Sequence, residues 1–287
     1  MVQAIKNRFL SISVKDHGAE LCSLKSLKNN KEYLWQADPE YWGKHAPILF
    51  PIIGCLKNNR YTIEEKSYEM SRHGFARDFS FELVDKADTM LKYLLKSNEE
   101  TIEKYPFKFE LYITYELKDE KLDVIYEVKN KDNKKMYFSI GAHPAFNCNI
   151  SEGDKYLEFE KEETLESYII NTENGLIENE KKSVLMEEKE LLLTYDLFKD
   201  DALVFDNIKS DAVSIRDDRT NEKIKFTFKG FPYLGIWTPQ APFLCIEPWY
   251  GIADLIDANG KIEEKRGIQN LDVNETFKCS YQIEIIN

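Results

Sequence analysis

The sequence lacks the features that would carry it across a membrane, staple it with disulfides or attach it to nucleic acid. Its longest apolar stretch, from Ala46 to Ile53, is broken by Pro47 and Pro51, whereas a bilayer-spanning helix needs about 20 consecutive apolar residues. The start, Met1-Val2-Gln3-Ala4-Ile5-Lys6, runs into charged sequence without the apolar core of a signal peptide, so a cytoplasmic location is expected. The five cysteines (Cys22, Cys55, Cys148, Cys245, Cys279) are widely spaced, odd in number and never paired as C-x-x-C. That pattern predicts reduced thiols, with neither a disulfide framework nor a zinc knuckle. Basic residues are outnumbered 39 to 51, for a net charge of -12. Such a surface repels phosphate backbones and anionic membranes, so neither is an expected partner. There is no internal repeat, low-complexity tract or Gly/Pro/Ser-rich linker, and a single domain over residues 1–287 is the simplest organisation.

Helical periodicity is also scarce. The chief candidate is Asn98 to Lys104, where Ser97 or Asn98 can cap the first turn before Pro106 ends it. What fills the chain instead is alternation with a period of two. Phe107, Phe109, Leu111, Ile113, Tyr115 and Leu117 alternate with mostly polar neighbours, and Leu122, Val124, Tyr126 and Val128 do the same after the polar turn Lys118 to Lys121. Successive side chains of a strand point to opposite faces, so this reads as a hairpin with one buried and one wet face. Weaker versions recur at Phe9 to Val14, Phe79 to Val84, Leu91 to Leu95, Val213 to Ile215, Ile224 to Phe228 and Tyr281 to Ile285. Many short strands without intervening helices predict an all-β fold of stacked antiparallel sheets. Charge runs such as Glu160-Lys161-Glu162-Glu163 and Glu178-Asn179-Glu180-Lys181-Lys182 are expected on solvated loops and strand faces.

Three segments break the pattern: Ser71-Arg72-His73-Gly74-Phe75-Ala76-Arg77-Asp78, Gly141-Ala142-His143-Pro144-Ala145-Phe146-Asn147, and Phe243-Leu244-Cys245-Ile246-Glu247-Pro248-Trp249-Tyr250-Gly251. Each sets an ionisable group among apolar and aromatic residues beside a Gly or Pro, and burying such a group is costly unless it is paired or used. His73 and His143 each also fit a bland role as a turn or strand-end histidine. Glu247, inside Leu-Cys-Ile-Glu-Pro-Trp, is harder to place in water, though a structural salt bridge to Arg72 or Arg77 would also hold it.

At these residues the chain resembles the aldose 1-epimerase (galactose mutarotase-like) superfamily, and within it the LacX-type branch. The resemblance runs from Gly18-Ala19-Glu20-Leu21 and Tyr41-Trp42 through Phe50-Pro51-Ile52-Ile53-Gly54 and the His-Gly-Phe-Ala-Arg and Gly-Ala-His-Pro-Ala-Phe-Asn segments to Gly235-Ile236-Trp237-Thr238 and Cys-Ile-Glu-Pro-Trp. It implies a β-supersandwich of large antiparallel sheets, a sugar substrate, no metal or organic cofactor, and a monomer or homodimer. It further implies Glu247 as the general base at the anomeric hydroxyl, His143 as the general acid at the ring oxygen, and His73 as a second histidine near that oxygen. An aspartate between Asp200 and Asp206 would grip sugar hydroxyls, with Asp201 favoured and Asp206 as the fallback. One departure stands out: relatives usually carry an Arg where this chain has Cys55. Arg60, Arg72 or Arg77 is then the candidate replacement donor.

A positioned base and acid suffice for anomer exchange, which moves protons but no electrons. Flat sugar faces stack on aromatic rings, making Trp42, Phe146, Trp237 and Trp249 candidate platforms. Four other readings compete: an iron facial triad of His73, His143 and Glu247; a glycosidase pairing Glu247 with Asp254 or Asp257; a hexose-6-phosphate 1-epimerase using Arg72 and Arg77; and a non-catalytic carbohydrate-binding protein of the same fold.

Overall fold

The computed structural model describes residues 1–220 and 222–286. The long hairpin read from the sequence forms as expected: Phe109–Lys118 pairs antiparallel with Lys121–Asn130, with Leu117 opposite Leu122 and Leu111 opposite Val128. Along both strands every second residue is buried. Each apolar side chain removed from water in this way contributes about 1.5–3 kcal/mol. The buried row fixes the register, because a slip by one residue would turn the entire apolar set to solvent. The tight turn between the strands is made by Asp119, at φ 51°, and Glu120.

This hairpin belongs to one 15-stranded antiparallel sheet. From it the path runs through Thr276–Ile286, Lys223–Thr227, Ala212–Asp217 and Lys155–Ile170 to Leu203–Asp206, Tyr233–Trp237, Phe243–Tyr250 and Ile140–Ala142. A separate three-stranded meander, Val2–Lys6, Leu10–Lys15 and Leu21–Ser26, shares a continuous apolar core with the large sheet. Strand occupies 53% and helix 8% of the chain, so the all-β expectation holds. No helix among the described residues is long and apolar enough to cross a membrane.

The expected short helix is Glu99–Lys104. Asn98 caps it by accepting from Thr101 N, and the Thr101 hydroxyl accepts from Asn98 N in return. The charge runs fall on a hairpin of two 16-residue strands, Lys155–Ile170 and Ile177–Leu192. Most of their acidic and basic side chains are exposed, which keeps this ribbon from pairing with other chains. Glu163 departs from that reading. It shares the inward parity of Leu157, Phe159 and Leu165 on the same strand, and its carboxylate is fully buried and accepts bonds from Ser210 N, Ser210 Oγ and Lys209 N. These donors compensate for the water it has lost.

Candidate active site

The three pattern-breaking segments meet at one cavity of about 450 Å³. Glu247 lies in the middle of Phe243–Tyr250, opposite Gly235 of Tyr233–Trp237. His143 follows directly on Ile140–Ala142, the neighbour of Phe243–Tyr250 on its other edge. The neighbouring strands thereby bring His143 Nε2 to 3.3 Å from Glu247 Oε2. Both groups are sealed, at 8% and 1% exposure.

His73 reaches the same place from a loop. It sits at φ 68°, and its backbone N–H donates to Gly54 O (3.0 Å) while Gly54 N–H donates to His73 Nδ1 (3.1 Å). The next residue must be glycine: at φ 71°, a Cβ on Gly74 would lie 2.3 Å from the Phe50 carbonyl oxygen. Arg72 Nε also donates to His73 Nε2 at 3.2 Å. A neutral imidazole accepts at only one nitrogen, so the bonds from Gly54 N–H and from Arg72 are alternatives set by the tautomer, and the Nδ1-accepting tautomer leaves Nε2–H free to donate.

Aromatic rings wall the histidines. Trp42 stacks on His143 at 4.9 Å between centroids, and Trp237 meets it edge-on at 5.6 Å. Trp249 enters the lining by lying against two glycines. A Cβ on Gly141 or Gly235 would fall 2.5 Å or 2.6 Å from its indole, and its Nε1 donates to Ala142 O at 3.3 Å.

Burial sets the protonation of the pair. Desolvation raises the Glu247 carboxyl well above the usual range, with Arg72 opposing and Asp201 reinforcing. Burial likewise lowers His143 to about 3, helped by the Arg72 and Arg77 charges. His73 is held well below 6.5 by burial, then by His143 and the two arginines. Neutral Glu247 beside neutral His143 is therefore the resting state, with one transferable proton between them.

Of the remaining sequence-derived candidates, Arg77 and Asp201 line the cavity. Arg77 donates to the Arg72 carbonyl (2.8 Å), and Asp201 pairs with Arg72 at 3.5 Å. Three candidates are corrected. Phe146 is fully buried on the opposite side of its strand, edge-on to Phe226 within the core; period-two alternation points it away from the cavity. Asp206, the fallback aspartate, is held by Lys181 and the Tyr168 hydroxyl and does not line the cavity. Arg60 lies on the surface, paired with Glu69. Asp254, the glycosidase partner, is locked elsewhere in a buried ion pair with Lys265 at 2.7 Å, and Asp257 lines a different cavity. The facial triad meets a direct obstacle, since His73 offers one nitrogen to Gly54 N–H and turns the other toward a guanidinium.

Arg72 entered the sequence reading as a substitute donor, a candidate salt-bridge partner of Glu247 and a candidate phosphate ligand, but not among the favoured site residues, although it lines the cavity and contacts both His73 and Asp201. Its position beside His73 was the available signal. Phe198 and Ile177 also line the cavity and carried no signal, because they sit in ordinary strand or turn sequence. Cys55 is packed under the loop at Gly175, where a Cβ would meet its Sγ at 2.7 Å. A small residue fits beneath that loop.

Comparison with known proteins agrees with this architecture. The family profile described as aldose 1-epimerase matches residues 1–268. The plasmid-encoded protein LacX of Lactococcus lactis subsp. lactis is 36% identical over the full length of both chains. A galactose mutarotase related enzyme from Lactobacillus acidophilus superposes with a TM-score of 0.95 at 36% identity, covering 100% of this chain and 98% of the other. A galactose mutarotase-like protein from Lactobacillus casei superposes at 0.94 with 32% identity and full coverage of both. The chain belongs to the aldose 1-epimerase family.

Proposed function

We propose that the protein interconverts the anomers of a hexose by opening and reclosing its ring, with Glu247 and His143 as the proton-transfer pair. The observation that carries this reading is their 3.3 Å approach, out of water, on the wall of a monosaccharide-sized cavity.

The reaction needs a base at O1 and an acid at the ring oxygen, two atoms bound to the same carbon. The reactive form is the ionised tautomer of the pair, reached when the Glu247 proton passes to His143 across their 3.3 Å approach, so that Glu247 carries the negative charge and His143 the proton. Glu247 takes the O1 proton, the bond from C1 to the ring oxygen breaks, and His143 protonates that oxygen. The open-chain aldehyde then faces neutral Glu247 and neutral His143, the state that burial favours. Both transfers run toward the form the site stabilises, which makes the ionised pair a strong base and a strong acid. Rotation about C1–C2 presents the other carbonyl face, and the same transfers in reverse close the ring as the other anomer. His73 Nε2–H supplies a hydrogen bond near the ring oxygen. Trp42, Trp237 and Trp249 pack on the sugar's C–H faces. Asp201 and Arg72 bind hydroxyls, Arg72 taking the part that residue 55 plays in relatives. Protons move and electrons do not, so side chains alone are sufficient.

Polarimetry on freshly dissolved α-D-glucose and α-D-galactose tests the proposal. Wild type should speed equilibration, and Glu247→Gln should lose about 10²- to 10⁴-fold of that rate. Equal rates with and without protein for every common aldose would leave a sugar binder instead.

A second reading, a sugar-phosphate epimerase, is favoured by two guanidiniums, Arg72 and Arg77, at one end of the cavity. Arg77 Nε is buried there without a hydrogen bond, 3.8 Å from Asp78 Oδ2, and a phosphate would supply one. Faster equilibration of glucose 6-phosphate than of glucose, abolished by Arg77→Ala, would select this reading.

A further inference from the structure

We propose that His143, Cys245 and Glu247 form a site for a thiophilic divalent metal ion, zinc or cadmium, which excludes sugar from the cavity when bound. Cys245 and Glu247 are two residues apart on Phe243–Tyr250, so their side chains share one face of the sheet. His143 is brought to that face from the end of Ile140–Ala142. One ligand atom from each residue lies within 4.8 Å of the other two, the one such grouping among the described residues. Two buried polar atoms of the group make no hydrogen bond, His143 Nδ1 and Glu247 Oε2, and Oε2 has His143 Nε2 beside it at 3.3 Å, so a metal would compete only with that contact within the group.

The donor set selects the ion. One sulfur, one nitrogen and one oxygen on three protein ligands, with a fourth position open to the cavity, is the pattern of accessible zinc sites. A sulfur ligand also disfavours magnesium and calcium, which take oxygen. Metal–ligand bonds of about 2.0–2.3 Å require the three atoms to close in by roughly 1 Å, a movement that side-chain rotation supplies. The nearby cations are already offset, Arg72 by Asp201 at 3.5 Å and Arg77 by Asp78 at 3.8 Å. Cys245 is fully buried and forms no part of the cavity lining. A metal entering from the sugar side would first meet His143 and Glu247, which line the cavity, and Cys245 behind them. On binding, the Cys245 thiol and the Glu247 carboxyl each give their proton to solvent, and the thiolate and carboxylate bond to the ion.

The site includes both members of the proton-transfer pair, so a bound metal would engage both groups at once. Metal binding is nevertheless a property of the three residues and does not depend on the epimerase reading. The test is a cadmium titration of metal-free protein, followed by calorimetry and by the ultraviolet thiolate-to-cadmium band. Wild type should bind one equivalent and show the band. Cys245→Ala should lose the band and bind more than about tenfold more weakly, and Glu247→Gln should keep the band with weakened binding. Cys245→Ala retains Cys22, Cys55, Cys148 and Cys279, so a band that survives assigns the metal to one of those thiols and overturns the proposal. Absence of saturable binding to wild type overturns it as well. Should Cys245→Ala lose its circular-dichroism signature of folding, Cys245→Ser serves in its place with the same expected loss. Zinc inhibition of sugar equilibration, relative to each variant's own metal-free rate, is read separately. A protein without epimerase activity leaves the binding outcomes fully decisive.

Discussion

The indole of Trp42 lies nearly parallel to the imidazole of His143, with centroids 4.9 Å and planes 26° apart. Because Trp42 comes from a loop and His143 from a strand end, the contact ties the position of that loop to the orientation of the proposed acid. Trp42→Ala should lower the rate of sugar equilibration by about 10²-fold, since small misplacements of a catalytic group have that effect. Trp42→Phe, which keeps a stacking ring, should retain most of the rate. Polarimetry at saturating sugar distinguishes the two.

Trp249 provides a second test of ring placement. Its indole occupies the volume that a Cβ on Gly141 or Gly235 would take. Gly235→Ala should push the indole into the cavity, cost about 1–3 kcal/mol of stability and raise the KM for sugar more than it lowers kcat. Urea unfolding and substrate-dependence curves check both halves.

The pH dependence of stability follows from the opposed shifts of the pair. His143 titrates near 6.5 when exposed and at about 3 in the fold. Its native state is therefore favoured above pH 6.5 and loses that advantage as pH falls toward 3, the unfolded chain binding the proton. Glu247 runs the other way: its raised folded pKa gives stability at low pH that is lost as pH rises above 4.5. In the wild type these terms oppose one another. His143→Asn removes one of them, so between pH 8 and pH 5 the variant should gain about 2 kcal/mol relative to wild type. Denaturant melts of both proteins at the two pH values measure the difference.

Away from the cavity, Lys265 and Asp254 form an ion pair at 2.7 Å with side chains 2% and 5% exposed, and Asp254 also accepts from Lys57 N. Removing one partner strands a buried charge. Lys265→Met should destabilise the protein by about 3–5 kcal/mol. Lys265→Met with Asp254→Asn should cost less than Lys265→Met alone, because no unpaired charge remains. A urea double-mutant cycle gives the coupling.

Much of the fold could be read from local pattern. The hairpin from Phe109 to Asn130 and the capped helix at Glu99 formed as expected, because each depends on interactions between residues close in sequence. Glu163 did not follow its neighbours into solvent, since it keeps the inward parity of Leu157, Phe159 and Leu165, which a run of acidic residues hides. In the site, Glu247, His143 and His73 were legible because ionisable groups stood out in apolar settings. Phe146 was misread because an aromatic beside a site residue looks the same whether alternation points it to the cavity or to the core. Arg72 was underweighted because its ties to His73 and Asp201 exist only in three dimensions.

By itself the sequence determined that this chain folds as antiparallel strands, and which few ionisable groups had no solvent-facing explanation. Both follow from short-range periodicity and from the cost of burying charge. The tertiary structure decided that His143 and Glu247, about a hundred residues apart, touch at 3.3 Å. It also decided that Asp201 rather than Asp206 reaches the cavity and that Cys245 lies close behind the pair. Those outcomes depend on strand order and register across a 15-stranded sheet. Long-range pairings set them, and no local stretch of sequence encodes those pairings.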